Sequence, residues 1–274
     1  LSLPQDQKGI TDAGLAHIGE MSNLRSLGIS RIHFNDPKMN KEYYTDAGLA
    51  ELAKCRQLES LGLGSIGITD AGMDHVAKMT NLKSLALFGC DNVTDAGLAK
   101  LRGLKSLNSL SISHTEISIA GLNGLKSLSR LERIRAYDLR RGGAVLDFSG
   151  MTNLEDLMLY FERKSSEAFT DADVACLSGL KRLNNLQIGP CNYTEKGVAS
   201  LAGLINMDRL NIGGPALSDE AIGHLTGMKK LGLLNITAGT RDKNKTPRDS
   251  GGGLTDMALR YIEEMKSLSN LRIN

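Results

Sequence analysis

Residues 59–73 read ESLGLGSIGITDAGM, and within them Gly62-Leu63-Gly64-Ser65-Ile66-Gly67 spells G-x-G-x-x-G. That is the fingerprint of a dinucleotide-binding loop, in which glycines between a strand and a helix let backbone amides reach a pyrophosphate. A loop that occurs once would support that reading. One whose surroundings recur would mark a repeat.

The surroundings recur. TDAGL stands at Thr11, Thr45 and Thr94, and TDAGM at Thr69. Looser copies are SIAGL at Ser118, TDADV at Thr170, TEKGV at Thr194, SDEAI at Ser218 and TDMAL at Thr255. About a dozen residues after most of them comes L-x-x-L-x-L, with first residues Leu24, Leu58, Leu82, Leu107, Leu131, Leu154, Leu183, Met207, Leu231 and Leu268. Successive blocks are mostly 23 to 25 residues apart, with three longer intervals of 34, 29 and 37. The excess falls after the strand and before the helix, as inserts near 31–44, 160–169 and 237–253. Gly62 and Gly64 then correspond to Gly28 and Ser30 in the first repeat and to Ser111 and Ser113 in the fourth. A dinucleotide fold also needs a longer crossover and an acidic ribose partner about twenty residues on, and no carboxylate lies near that spacing. The glycines are a by-product of the repeat.

Alternation in L-x-L predicts a short strand with one buried face. Thr or Ser followed by Asp predicts a helix N-cap with a carboxylate at the positive end of a short helix. Leu15, Ile18 and Met21 would form its apolar face. Such units bury their leucines only against their neighbours, so the fold class expected is an α/β solenoid: a parallel concave sheet with short helices on the convex side. Tyr44, Phe169 and Tyr193 precede helix caps and are expected to staple the core. RRGGAVLDFSGMTNL, after Tyr137, replaces the helix signature, so that repeat is expected to lack a regular helix.

The pattern resembles the leucine-rich-repeat family, L-x-x-L-x-L-x-x-N/C-x-L, over essentially all of residues 1–274. The TDAGL signature is similar to the bacterial repeats of that family and to the cysteine-containing repeats of ubiquitin-ligase F-box proteins. The resemblance implies a curved horseshoe and a role in substrate recognition or host-protein capture. The array runs from one strand end, LSL at Leu1, to another, NLRIN, which suggests a segment of a longer protein.

Bulk properties exclude several classes. A net charge of +2 lacks the concentrated basic character of a nucleic-acid binder, so no nucleic-acid partner is expected. No run of eighteen apolar residues predicts a membrane span. C-x-x-C, H-E-x-x-H, G-x-x-x-x-G-K-[ST] and G-x-S-x-G are absent. Cys90 and Cys191 occupy the family's ladder position, where the side chain serves loop backbone, while Cys55 and Cys176 fall on helical segments. His17, His75 and His224 share one helical position and face solvent, whereas His33 and His114 are isolated loop residues. Asp12, Asp46, Asp70, Asp95, Asp171, Asp219 and Asp256 each follow a cap rather than forming a catalytic set. The expectation is a non-enzymatic, cytoplasmic monomer without cofactor or metal.

Binding is expected on the concave face. Its columns in the first four repeats are small: Ser26, Gly28, Ser30; Ser60, Gly62, Gly64; Ser84, Ala86, Phe88; Ser109, Ser111, Ser113. From the fifth repeat they change to Arg133, Arg135, Tyr137; Asp156, Met158, Tyr160; Asn185, Gln187; Arg209, Asn211. Tyr and Arg are frequent interface anchors, and Asp156 is placed to pair with one of the arginines. Phe34, Tyr43, Phe88, Tyr137, Tyr160 and Phe161 are expected on the rim after the strands, about half of them exposed. The last insert adds Arg241, Lys243, Lys245 and Arg248, and Arg140 and Arg141 lie on the same side. The partner-binding set is therefore Phe88, Arg133, Arg135, Tyr137, Asp156, Met158, Tyr160, Phe161, Arg209 and Asn211, with a protein as the partner. A structural spacer in a larger protein is one alternative, and a glycan or nucleotide-sugar binder along the serine columns is another.

Overall fold

Each described L-x-L segment forms a parallel strand and the Thr-Asp and Ser-Asp caps open short helices in the computed structural model. It describes residues 10–30, 44–64, 67–162, 167–214, 217–238 and 254–273. Most of the three inserts, including Phe34, Tyr43, His33 and the Arg241–Arg248 group, lies outside the described residues, as do Ser65 and Ile66. The chain divides into two compact modules, Leu1–Ala144 and Val145–Asn274.

The first module alternates α1 (Asp12–Gly19), β1 (Ser26–Ser30), α2 (Asp46–Leu52), β2 (Ser60–Gly64), α3 (Met73–Val76), β3 (Ser84–Thr94), α4 (Asp95–Lys100), β4 (Ser109–Glu116), α5 (Ile119–Asn123) and β5 (Arg133–Leu139). Its strands pair in parallel and in sequence order. The register is that of the repeat: Leu27, Leu61, Leu85, Leu110 and Ile134 form one column, each no more than 1% exposed. Burying one such side chain contributes about 1.5–3 kcal/mol.

The second module runs β6 (Asp156–Phe161), α6 (Asp171–Ala175), β7 (Asn185–Gly189), α7 (Glu195–Leu201), β8 (Arg209–Gly214), α8 (Asp219–Gly223), β9 (Leu233–Ala238), α9 (Asp256–Glu263) and β10 (Asn270–Ile273). Its strands are again parallel and sequential. Leu157, Leu186, Leu210 and Leu234 form the matching buried column. No helix forms in residues 140–155, as the loss of the signature predicts. Phe169 and Tyr193 are buried in this core, as Tyr44 is in the first. The Tyr44 hydroxyl donates to Ile29 O at 2.5 Å and accepts from Gly64 N at 2.8 Å. Tyr193 accepts from Gly213 N at 3.1 Å.

The cap aspartates do more than sit at their own helix ends. The Asp12 carboxylate accepts from Thr45 N at 2.7 Å, Thr45 Oγ1 at 2.8 Å and Gly48 N at 3.0 Å, all in the following repeat. Asp46 grips Thr69, Asp70 grips Thr94 and Asp95 grips Ser118 through the same pair of donors, at 2.6–2.9 Å. In the second module Asp171 binds Thr194 and Asp219 binds Thr255 in this way. The hydroxyl gripped by the carboxylate meanwhile accepts from the amide two residues on, as Thr45 does from Ala47 at 3.2 Å. Each helix start gripped in this way is thus capped by its own hydroxyl and by the preceding repeat, so donors orphaned at the N-terminus find acceptors.

The ladder explains the glycine of T-D-A-G. A Cβ at Gly48, Gly72, Gly97, Gly121 or Gly197 would come within 3.0 Å of the preceding repeat's aspartate, closer than real Cβ atoms approach. It also explains the irregular copies. Ser118 is followed by Ile119, buried, whose N–H bonds to Arg140 O at 3.0 Å. Thr170 has no Thr-Asp cap upstream in its module, and the site of the missing carboxylate is filled by Asp173, which stands where glycine is usual. Fully buried, Asp173 accepts from Thr170 N at 2.8 Å, Thr170 Oγ1 at 2.9 Å and Leu146 N at 3.0 Å.

Candidate binding surface

In the first module the outward strand positions stack in register. Ser26, Ser60, Ser84 and Ser109 lead to Arg133, while Gly28, Gly62, Ala86 and Ser111 lead to Arg135. Arg133, Arg135 and Tyr137 alternate with buried Ile134 and Ala136 and are exposed. Phe88 is half-buried on β3, opposite Ser113 of β4. Gly89, His114 and Asp138 follow Phe88, Ser113 and Tyr137 along the strands, and all have positive φ, at 64°, 51° and 58°. Left-handed backbone suits Gly, His and Asp better than bulky residues. His114 Nδ1 lies 3.2 Å from Asp138 Oδ2, so the two turns are tied together. The Arg140 guanidinium pairs with Glu116.

In the second module β6 carries Asp156, Met158 and Tyr160 outward, with Leu157, Leu159 and Phe161 inward. The Asp156 carboxylate, 9% exposed, accepts from Asn185 Nδ2 at 2.9 Å. Gln187 Nε2 donates to Asn185 Oδ1 at 3.2 Å, and Tyr160 Oη donates to Gln187 Oε1 at 3.4 Å. Four side chains on two strands are thereby locked into a polar network. Arg209 is exposed and sits 3.4 Å from the Asp208 carboxylate. Asn211 lies in register with Gln187 on one side and Asn235 on the other.

Phe161 is corrected by this geometry. It is 3% exposed and stacks on Phe169 with ring centroids 4.5 Å apart, so it offers no surface to a partner. The strand continues through it, and the period of two that turns Tyr160 out turns Phe161 in. Of the other described rim aromatics, Tyr137 is exposed, and Phe88 and Tyr160 are half-buried. Asn185 and Gln187 are the residues the sequence reading leaves out of the binding set. Their place in the columns was visible, their hydrogen bonds were not.

The cysteines serve backbone. Cys191 Sγ donates to Ile188 O at 3.1 Å, Cys55 to Ile18 O at 3.1 Å and Cys176 to Asp173 O at 2.9 Å. Cys90 is buried with its sulfur facing Phe88 O. None is bridged. Burial pushes the Cys176 and Cys191 thiols up to about 12, away from nucleophilic character. Among the described residues no group of three or more His, Cys, Asp or Glu side chains could hold a metal ion. No helix there is long and apolar enough to cross a membrane.

No protein-family model and no curated protein matches the sequence. Solved structures do match it by shape. An internalin from Listeria monocytogenes superposes with a TM-score of 0.60 at 18% identity, over 93% of this chain and 69% of its own. The yeast Rad7 and Elc1 complex contains a chain that matches with a TM-score of 0.54 at 15% identity, over 96% of this chain and 72% of that one. Both are leucine-rich-repeat proteins. Parallel strands in sequence order, most of them followed by a short helix, make this chain a leucine-rich-repeat solenoid by fold.

Proposed function

We propose that this chain is a non-catalytic interaction module that binds a protein partner through its outward strand positions and the rim after the strands. The binding residues are Phe88, Arg133, Arg135 and Tyr137 in the first module, and Asp156, Met158, Tyr160, Arg209 and Asn211 in the second. One observation carries the reading. Columns that hold only Ser, Gly and Ala across β1–β4, apart from Phe88 near the strand end, change at β5 to two exposed arginines and a tyrosine. A sheet face that only needed solvation would have no use for that step, whereas Arg and Tyr combine area with directional hydrogen bonding. The likeness in fold to yeast Rad7, solved in complex with Elc1, supports the same reading.

The test is affinity capture from lysate of the source cell with mass spectrometry. The parent chain is compared with an Arg133→Glu, Arg135→Glu variant and with a Tyr160→Ala variant, each shown to be folded. A protein retained by the parent and lost from either variant supports the reading, and its identity distinguishes an effector role from a ubiquitin-ligase receptor role. Identical capture by all three sinks this face. Capture of nothing above background by any of them favours a spacer.

A further inference from the structure

The second module carries a pocket of about 340 Å³ at the ends of β6–β9, lined among others by Tyr160, Gly189, Pro190, Asn211, Gly213 and Thr237. The floor is open because side chains are missing. The Tyr160 ring lies over Gly189, where a Cβ would sit 3.4 Å from its Cε1, and one at Gly213 would come 3.1 Å from Thr237 O. None of the described residues lining the pocket is charged. The volume is at the low end for ligand sites, which suits one ring system rather than an extended molecule. Two polar side chains, Asn211 and Thr237, line this apolar space, and neither makes a side-chain hydrogen bond or ion pair to a described residue. A binding site lined by rings and glycine backbone, with one amide and one hydroxyl free, suits a neutral group with an apolar body and a single polar tip.

We infer that this pocket receives one tyrosine side chain from an uncharged, extended segment of the protein partner, its phenol hydroxyl bonded by Asn211 and Thr237. The inference rests on the proposed protein-binding role and names the chemistry of the partner at that face. Stacking on Tyr160 and Pro190 holds the ring.

The test is a titration of the ¹⁵N-labelled full chain, following the Gly189 and Gly213 amide signals, with N-acetyl-L-tyrosinamide, N-acetyl-L-phenylalaninamide, N-acetyl-L-lysinamide and p-cresol. The tyrosinamide is expected to shift both signals saturably, the phenylalaninamide about fivefold more weakly for want of the hydroxyl, and the lysinamide not to saturate. Asn211→Ala, at a partly exposed position, is expected to weaken the tyrosinamide about fivefold and leave the phenylalaninamide unchanged. No saturable shift with the tyrosinamide, or equal affinity for the two aromatic probes, overturns the inference. Tighter binding of p-cresol than of the tyrosinamide reassigns the pocket to a free phenol and also overturns it. If a captured partner binds the Asn211→Ala and Thr237→Val variants as well as the parent, the pocket assignment fails and the interaction role stands. If the tyrosinamide saturates the pocket but no partner is captured, the interaction role fails while the pocket's chemistry stands.

Discussion

The carboxylate of Asp95 occupies the space that a side chain on Gly121 would need. Asp95 reaches out of its own helix to bind Ser118 N at 2.8 Å and Ser118 Oγ at 2.6 Å, and Gly121 lies directly beneath it. Gly121→Ala is therefore expected to destabilise by about 1–3 kcal/mol through the clash. Asp95→Ala alone is expected to cost about 1–3 kcal/mol, because the Ser118 donors lose a charged acceptor. In the Asp95→Ala background the carboxyl clash has gone and only the residue-95 Cβ, 3.2 Å away, remains, so Gly121→Ala should range from neutral to stabilising by about 0.5–1 kcal/mol through helix propensity. Urea unfolding of the four proteins completes the cycle. Equal effects of Gly121→Ala in both backgrounds would show that the glycine is not there for the carboxylate.

Asp173 supplies a sharper case, because the consensus of the repeats argues the other way. Asp173→Gly turns TDADV into TDAGV and would be chosen by anyone averaging the repeats. It is expected instead to destabilise by about 2–4 kcal/mol, since Thr170 and the buried Leu146 amide lose their shared acceptor. A chemical-denaturation midpoint equal to or above that of the parent would refute the role assigned to Asp173.

Acid should act on the ladder through Asp219. Burial pushes its pKa up, but the Thr255 hydroxyl, the Thr255 N–H and the Ala258 N–H outweigh it and hold the carboxyl below its ordinary value. A depressed carboxylate contributes stability that is present above the unfolded pKa and is lost as pH falls through the folded one. The contact between α8 and α9 is therefore expected to weaken only at pH below the usual carboxylate range. Thr255→Val removes one donor and should raise the Asp219 pKa toward its ordinary value, whereas Thr255→Ser should not. A ¹³C carboxyl titration measures this, and an unchanged Asp219 value in the valine variant would exclude the hydroxyl as the cause.

These residues also show what the sequence could reveal. The leucine columns were legible because burial imposes a period of two on each strand and about 24 residues on the array. The hydroxyl caps were legible because Ser and Thr have few other reasons to recur before short helices. The direction of the Asp side chains was not, since spacing alone cannot distinguish a carboxylate serving its own helix from one serving the next repeat. Nor was Asp173, whose role depends on what the preceding segment lacks. At the proposed binding face the columns of Arg133, Arg135, Met158 and Tyr160 followed from alternation. The Asp156–Asn185–Gln187–Tyr160 network required side-chain positions.

Tyr160 and Phe161 put that difference to experiment, because adjacent aromatic residues on one strand face opposite ways. Phe161 stacks on Phe169 in the core, so Phe161→Ala should cost about 3–5 kcal/mol of stability. Partner binding per folded molecule should be unaffected. Tyr160 is half-buried on the outer face, where its hydroxyl makes a long, 3.4 Å bond to Gln187, so Tyr160→Ala should cost less than Phe161→Ala, about 1–2 kcal/mol. Loss of a large aromatic contact there should instead weaken the partner by about 2 kcal/mol or more. Denaturation midpoints and binding isotherms on the two single variants separate stability from recognition. If Phe161→Ala impairs binding in molecules that remain folded while Tyr160→Ala does not, the recognition surface lies on the other side of β6.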